Sequence, residues 1–121
     1  MRFVDTKVLL YSLDTTAQHS RKAAVARTLL GSDDLAMSTQ VLQEFYVQAT
    51  RVTRSGAITH EQAVTLLKAF LRFPVQEITV RVLQSALVAK QKFGLSYWDA
   101  AVVEAARALG CGIILTEDWR T

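Results

Sequence analysis

Short apolar runs alternate along the chain with longer segments in which apolar residues recur every three or four positions. The short runs have the length of buried strands and predict strands at residues 2–4, 35–37, 75–78 and 112–115. The longer segments predict helices at residues 7–13, 20–30, 39–52, 59–73, 79–93 and 97–109. Strands that alternate with helices favour an α/β fold with a mostly parallel central sheet.

Local signals mark where several of these helices begin and end. Thr59 precedes Gln62 by three residues, which is the spacing of a capping box, so we expect a helix to begin after Thr59. Gly31, Gly94 and Gly110 each follow a predicted helix and are typical stop residues.

The apolar pattern also predicts which residues of the last two elements are buried. The run at 112–115 is apolar throughout, so we expect this strand to lie in the interior. Trp98 shares helical spacing with Val102, Ala105 and Leu109, so we expect its ring in the core.

Composition limits the class of protein. A chain of 121 residues and 13.4 kDa has the length of one domain, so we expect a single domain over residues 1–121. Half the residues are hydrophobic and 21% are charged, which excludes an intrinsically disordered chain. The single cysteine, Cys111, excludes an internal disulfide and a cysteine-based zinc site. No segment approaches the roughly 20 apolar residues of a membrane span, so we expect a soluble, cytoplasmic protein.

Four acidic residues fall near the carboxyl ends of the predicted strands. Asp5 ends the first strand, Glu44 lies early in the helix after the second, and Asp118 lies three residues beyond Leu115. Asp99 lies in the first turn of the last helix. Carboxyl ends of parallel strands meet at one edge of the sheet, where ligands bind, so we expect these carboxylates to converge. Such a cluster suits Mg²⁺ or Mn²⁺, which prefer oxygen ligands and can activate water for attack on a phosphate.

Each carboxylate also has an ordinary structural role open to it. Asp5 could be a helix N-cap, Asp99 the acidic partner of Ser96 in a capping box, Asp118 a turn residue and Glu44 a solvated side chain. The two histidines, His19 and His60, fall in helix-start regions that we expect to be exposed, so they offer no alternative site.

Four segments of the chain resemble the motifs of the PIN domain family. Residues 3–11, Phe-Val-Asp-Thr-Lys-Val-Leu-Leu-Tyr, resemble its opening strand, which is usually followed by Asp-Thr-Asn. Residues 38–45, 95–101 and 110–118 resemble its second, third and fourth motifs, in order and with suitable spacing. The short length is most similar to the VapC-type toxins of bacterial toxin–antitoxin pairs.

The resemblance implies a three-layer α/β/α sandwich and a metal-dependent endoribonuclease that leaves 5′-phosphate and 3′-hydroxyl ends. It implies that one or two Mg²⁺ or Mn²⁺ ions are held by Asp5, Glu44, Asp99 and Asp118. Thr6 and Thr116 would support these acids. It further implies inhibition by a VapB-type antitoxin and a homodimeric assembly.

Two departures from the family pattern stand out. Lys7 occupies the usual Asn position, where it could pair with the acids, contact RNA phosphate or point into solvent. The sequence ends at Thr121, where the family usually continues into a last strand, so we expect that strand to be missing. A missing strand would leave a sheet edge unpaired, which invites association with another chain.

The net charge that remains when the four site acids are left out of the count favours a polyanionic partner. The chain has 14 basic and 11 acidic residues, a net charge of +3. If metal neutralises the four site acids, the seven remaining acids against the 14 basic residues leave +7. Lys7, Arg51 and Arg54 are the candidate RNA contacts, and the alternative for each is an ordinary solubilising charge.

Three other classes remain open. A catalytically silent PIN-like binding module would share the fold without cleaving RNA. A phosphoacceptor receiver domain also clusters acids at strand ends, but it needs a lysine near the last strands and none follows Lys92. A structure-specific DNA nuclease would carry an extra helical arch and further carboxylates, which this sequence lacks.

Overall fold

Four short parallel strands form the centre of the computed structural model, which describes residues 1–116. They are β1 (Arg2–Val4), β2 (Leu35–Ser38), β3 (Val75–Gln76) and β4 (Ile113–Leu115). Their order across the sheet is β3-β2-β1-β4. Each strand pair is parallel, so the carboxyl ends of all four strands lie along one edge, as the sequence predicts.

Helices cover both faces of this sheet. They are α1 (Thr6–Tyr11), α2 (Ser20–Leu30), α3 (Thr39–Ala49), α4 (His60–Phe70), α5 (Val80–Phe93) and α6 (Tyr97–Ala108), with a 3₁₀ turn at Ala17–His19 before α2. The connections through α1–α4 step from β1 to β2 to β3, whereas α5 and α6 cross back to β4. Because parallel crossovers are right-handed, these two groups lie on opposite faces, which confirms the three-layer α/β/α sandwich. Among residues 1–116, no helix has both the length and the apolar character needed to cross a bilayer.

Side-chain caps begin most of the helices. The predicted capping box is present, since the Thr59 hydroxyl accepts from the Gln62 N–H while the Gln62 side chain accepts from the Thr59 N–H. Asp5, Ser38, Thr79 and Ser96 also accept a backbone N–H at their helix starts. Caps of this kind satisfy backbone donors that have no partner within the helix.

Three helices end two or three residues earlier than the apolar spacing predicts, and the first of them, α1, ends at Tyr11 and not at residue 13. α3 ends at Ala49 and not at residue 52, and α4 ends at Phe70 and not at residue 73. The Thr50 hydroxyl donates to the Tyr46 carbonyl, 2.8 Å away, within the last turn of α3. The chain then enters a tight turn in which the Arg54 N–H donates to the Arg51 carbonyl. The Tyr46 carbonyl thus accepts from both the hydroxyl and the N–H of Thr50. The next N–H, of Arg51, already donates to the Gln48 carbonyl three residues back, so the α-helical pattern ends there.

The core lies on β1 and β2, the two central strands. Phe3, Leu35 and Met37 are completely buried there, and Val41 and Phe45 of α3 pack on them. A second, small cluster joins α5 to α6, and Leu95 and Tyr97 pack against it. Its buried members are Ala86, Ala89, Ala100 and Ala101. Such small side chains let two helices approach closely, which fixes the start of α6 against the sheet edge.

Two burial predictions are wrong. Trp98 is 62% exposed and packs edge-on against the Tyr97 ring. Side chains of a helix point back towards its N-terminus, so a residue in the first turn of α6 projects beyond the sheet and away from Val102. The last predicted strand is only partly buried, with Ile113 54% exposed, because β4 pairs with β1 on one side and ends the sheet formed by residues 1–116.

Gly94 and Gly112 allow a matched test of the left-handed backbone conformation at the end of α5. Neither glycine has an atom within 4 Å of an added Cβ, but only Gly94 has a positive φ, of 68°. A left-handed backbone costs an L-residue roughly 1–2 kcal/mol. We expect Gly94→Ala to lower the free energy of unfolding by about that much and Gly112→Ala to change it by less than about 0.5 kcal/mol. Urea unfolding measures both, and equal effects would contradict the assignment of Gly94.

Candidate active site

Asp5 lies at the carboxyl end of β1, beside β4. Its N–H donates to the Leu115 carbonyl, 3.0 Å away, and its Oδ1 accepts from the Thr6 N–H at 2.7 Å. The N-cap role open to Asp5 in the sequence is therefore real. Burial raises the pKa of Asp5, and the charges of Glu44 and Asp99 raise it further, against the lowering effects of the Thr6 N–H and of Lys7. Its carboxylate is thus held close to two other acids in a partly desolvated place.

Glu44 lies on the second turn of α3 and is fixed by two buried side chains. The Thr6 hydroxyl donates to its Oε2 at 2.9 Å, and the Gln40 amide donates to its Oε1 at 3.0 Å. Thr6 is 3% exposed and Gln40 is 6% exposed. Glu44 itself is half-buried, so the solvated alternative is wrong. Both oxygens have a defined orientation, which an exposed glutamate lacks.

Gln40 was not predicted as part of the site. It lies four residues before Glu44 on α3, and residues four apart on a helix are neighbours. That spacing, together with a polar residue at a helix start that packs on the sheet, is the signal that could have identified it.

Asp99 approaches the same place from the other face of the sheet. It is exposed in the first turn of α6, where its N–H donates to the Ser96 hydroxyl at 3.1 Å. Its charge contributes to the raised pKa of Asp5. The structure therefore brings together three of the four predicted acids. Asp118 lies outside the described residues, and Thr116, just after β4, is half-buried.

The chemistry of this donor set suits a hard divalent cation. All its members offer oxygen. Burial, and then repulsion from Glu44 and Asp99, raise the pKa of Asp5, and a bound cation relieves both effects. Within residues 1–116, however, no three side chains of His, Cys, Asp or Glu are close enough to form a metal site. The described carboxylates alone are therefore an incomplete ligand set.

The three predicted RNA contacts have different surroundings. Lys7 is exposed and lowers the pKa of Asp5, so its charge acts on the acid cluster. Arg54 is half-buried in the turn after α3. Arg51 is exposed and does not line the cavity described next.

A cavity of about 220 Å³ lies beside the carboxylates, between α1 and the C-terminal half of α3. We call it the α1–α3 cleft. Its walls are formed by Lys7, Leu10, Tyr11, Asp14, His19, Gln48 and Arg54. His19 is half-buried there, so the expectation of an exposed histidine is wrong for it.

Asp5→Asn tests the electrostatic strain of this site. Because the pKa of Asp5 is raised on folding, the folded state holds its proton more tightly than the unfolded chain does. Ionised Asp5 therefore costs stability at a pH above its ordinary pKa of about 4. Asn is uncharged and can still cap α1. We expect Asp5→Asn to raise the free energy of unfolding at pH 7 in EDTA, with a gain that shrinks as the pH falls towards 4.

Asp34→Asn is the control. The hydrogen bonds from the Arg2 guanidinium hold the pKa of the exposed Asp34 below its usual range, so its ionised form is favoured by folding. We expect this variant to lose stability at pH 7. Urea titrations across pH 4–7 that gave the two variants changes of the same sign would contradict the account of Asp5.

Solved structures with this fold include three toxin or toxin–antitoxin structures. A toxin–antitoxin complex from Klebsiella pneumoniae aligns with a TM-score of 0.69 and 15% identity over 98% of this chain and 87% of that one. VapC20 of Mycobacterium tuberculosis, a toxin that cleaves the sarcin–ricin loop, aligns with a TM-score of 0.70 and 24% identity over 98% of this chain and 92% of that one. VapBC2 of Rickettsia felis, bound to a promoter DNA fragment, aligns with a TM-score of 0.62 and 16% identity over 97% of this chain and 86% of that one.

The sequence comparisons are more specific about the family than about close relatives. No curated protein matches the chain significantly. The sequence profile of the PIN domain, in contrast, matches residues 2–121, which include all four acidic motifs. The fold and the sequence profile therefore agree, and the chain belongs to the PIN domain family.

Proposed function

We propose that this protein is a divalent-cation-dependent endoribonuclease and the toxin of a toxin–antitoxin pair. The observation that carries the proposal is the convergence of Asp5, Glu44 and Asp99, from three separate elements, on one edge of a PIN-domain sheet. The solved structures with this fold include a toxin described as cleaving the sarcin–ricin loop and two toxin–antitoxin assemblies. Together these support RNA as the substrate and a protein antitoxin as the inhibitor.

The acids of the site would bind the cation, whereas Thr6 and Gln40 position one of those acids. Asp5, Glu44, Asp99 and Asp118 would hold one or two Mg²⁺ or Mn²⁺ ions. When bound, a divalent cation lowers the pKa of water and neutralises charge that develops on a phosphodiester. Thr6 and Gln40 orient Glu44 from the protein side, through the bonds described above. Thr116 follows β4 and leads the chain towards Asp118.

Burial contributes to the chemistry as well. Asp5 is partly removed from water, and charge interactions strengthen where the surroundings are less polar. Lys7 supplies a positive charge beside Asp5. A nucleotide bound across this edge would meet acids fixed before it arrives, which reduces the reorganisation needed during the reaction.

A catalytically silent PIN-like binding module is the second candidate. The observation that favours it is the effect of Lys7, whose charge already offsets part of the charge on Asp5. In such a module the lysine replaces a cation, and the protein would bind partners without hydrolysing RNA. Cleavage assays separate the two candidates directly.

An apolar groove supports the protein partners in this proposal. It lies between α3 and α4 and is lined by Leu42, Gln43, Tyr46, Val47, Leu67 and Leu71. Val47 and Leu71 are more than half exposed, and exposed apolar surface of this kind is typical of protein interfaces. We propose a VapB-type antitoxin and a second copy of the chain as protein partners. We also propose that residues 1–121 act as one catalytic domain.

Asp99→Asn tests catalysis with little risk to the fold. Asp99 is exposed, and Asn keeps the backbone N–H that caps α6 through Ser96. We expect cleavage of a labelled structured RNA in Mn²⁺ to fall by about 100-fold or more, since a charged group of the site is lost. EDTA should stop the wild-type reaction.

Asp34→Asn serves as the matched control for this assay. Asp34 precedes β2 at the amino-terminal edge of the sheet, opposite the carboxylates. It should cleave at the wild-type rate. Equal cleavage by wild type and Asp99→Asn, or cleavage that persists in EDTA, would overturn the proposed activity.

A further inference from the structure

The α1–α3 cleft begins at the candidate active site and extends away from it. Lys7 follows Asp5 by two residues, and Gln48 follows Glu44 by one helical turn, and both line the cleft. His19 and Arg54 line the same cleft. A polymer that crosses the carboxylates would therefore place its neighbouring unit in this cleft.

Arg54 lines the cleft, and the described residues 1–116 offer its charge no partner. It is half-buried, and among residues 1–116 no carboxylate and no hydrogen-bond acceptor contacts its guanidinium. Removing a charged group from water without a partner is unfavourable. The planar guanidinium also matches the oxygens of a phosphate, to which it can donate two parallel hydrogen bonds. An anionic ligand is the partner that this residue lacks.

His19 also lines the cleft and is held in a defined orientation. Its Nδ1 lies 2.8 Å from Oδ2 of Asp14, and its ring packs edge-on against Tyr11 with centroids 5.4 Å apart. Hydrogen bonds from the Thr16 hydroxyl and N–H, with a smaller effect of His19, lower the pKa of Asp14 to about 2.

The state of Asp14 decides which proton His19 carries. An ionised carboxylate only accepts, so the Nδ1 that faces Asp14 carries the proton. In the neutral ring, Nε2 is then a hydrogen-bond acceptor. Both Asp14 oxygens are engaged by these bonds with Thr16 and His19, but the carboxylate keeps its negative charge. A phosphate in the cleft therefore has to bind at the cations of the same lining, Lys7 and Arg54.

We propose that the α1–α3 cleft binds the nucleotide of RNA next to the cleaved bond, with Arg54 on its phosphate and His19 Nε2 accepting from its ribose 2′-hydroxyl. This inference rests on the proposed ribonuclease function and adds the residues that select RNA over DNA. The 2′-hydroxyl is the donor that distinguishes the two polymers at a given site. Arg54 supplies affinity for either backbone, and His19 supplies the preference for ribose.

Binding measured without cleavage tests the roles of Arg54 and His19 separately. Fluorescence anisotropy in EDTA would compare a labelled single-stranded RNA with the DNA of the same sequence. We expect Arg54→Ala to weaken both by about tenfold and to reduce the salt dependence by about 0.7, the value of one phosphate contact on a single strand. Arg54→Lys should keep the salt dependence and recover part of the affinity.

His19→Ala should act on RNA alone. The wild type should bind RNA about tenfold more tightly than DNA, and the variant should bind both with the DNA affinity. Because Asp14 loses a partner in this variant, its melting temperature is measured beside the binding. If it is unfolded, the wild-type comparison of RNA with its 2′-deoxy form decides the assignment of His19.

Arg107→Ala is the control for loss of a surface charge. Arg107 is exposed in the last turn of α6, at the amino-terminal edge of the sheet, and pairs only with Glu104 among residues 1–116. It should bind both polymers as the wild type does.

The outcomes separate this inference from the function on which it rests. If Arg54→Ala binds with wild-type affinity, or if folded His19→Ala loses RNA and DNA binding equally, the cleft assignment is overturned. Cleavage of RNA in Mn²⁺ by the wild type would still support the ribonuclease function in that case. Equal wild-type affinity for RNA and its 2′-deoxy form would also overturn the cleft assignment. A wild type that neither binds nor cleaves RNA would overturn both.

Discussion

The hydrogen bond from the Thr6 hydroxyl to the Glu44 carboxylate connects the two parts of the candidate site. Thr6 begins α1 directly after Asp5, and Glu44 lies on α3, so this one contact fixes the distance between acids from different elements. Thr6 is buried and cannot exchange this bond for one with water. Core packing of Val41 and Phe45 places α3 beside β2 and α1, and the Thr6–Glu44 bond sets the carboxylate within that arrangement.

The fold supplies donors where it collects negative charge. Asp5 accepts from the backbone at the start of α1, and Glu44 accepts from Thr6 and Gln40. These bonds offset part of the repulsion between the acids, but the pKa of Asp5 remains raised. The site therefore retains electrostatic strain, which is common where groups are arranged for a ligand and not for stability. A cation would remove this strain, and Lys7 removes only part of it.

The elements of the fold were predictable because their signals are local. The capping box at Thr59, the stop at Gly94 and the alternation of strands and helices each depend on a few neighbouring residues. The convergence of Asp5, Glu44 and Asp99 followed from a topological rule, since parallel strands end at one edge. The family resemblance added the fourth acid and the expected chemistry.

The failures concern contacts between elements that are distant in the chain. Trp98 has the spacing of a core residue, but its exposure depends on where α6 begins relative to the sheet edge. The partial exposure of β4 depends on strand order, which its own apolar sequence does not encode. The partial burial of His19 depends on Asp14 and Tyr11, which contact its ring, and on the cleft that it shares with Arg54. No periodicity reports such pairings.

The central claim is that the carboxylates of β1, α3 and α6 act as a cation site in a PIN domain. Titration of Mn²⁺ into the metal-free protein, followed by the loss of the free-ion signal in electron paramagnetic resonance, measures this most directly. The account predicts saturable binding by the wild type and by Asp34→Asn, and binding weakened by at least about tenfold in Asp5→Asn and Asp99→Asn. Absence of binding by the wild type, or equal binding by all four proteins, would contradict it.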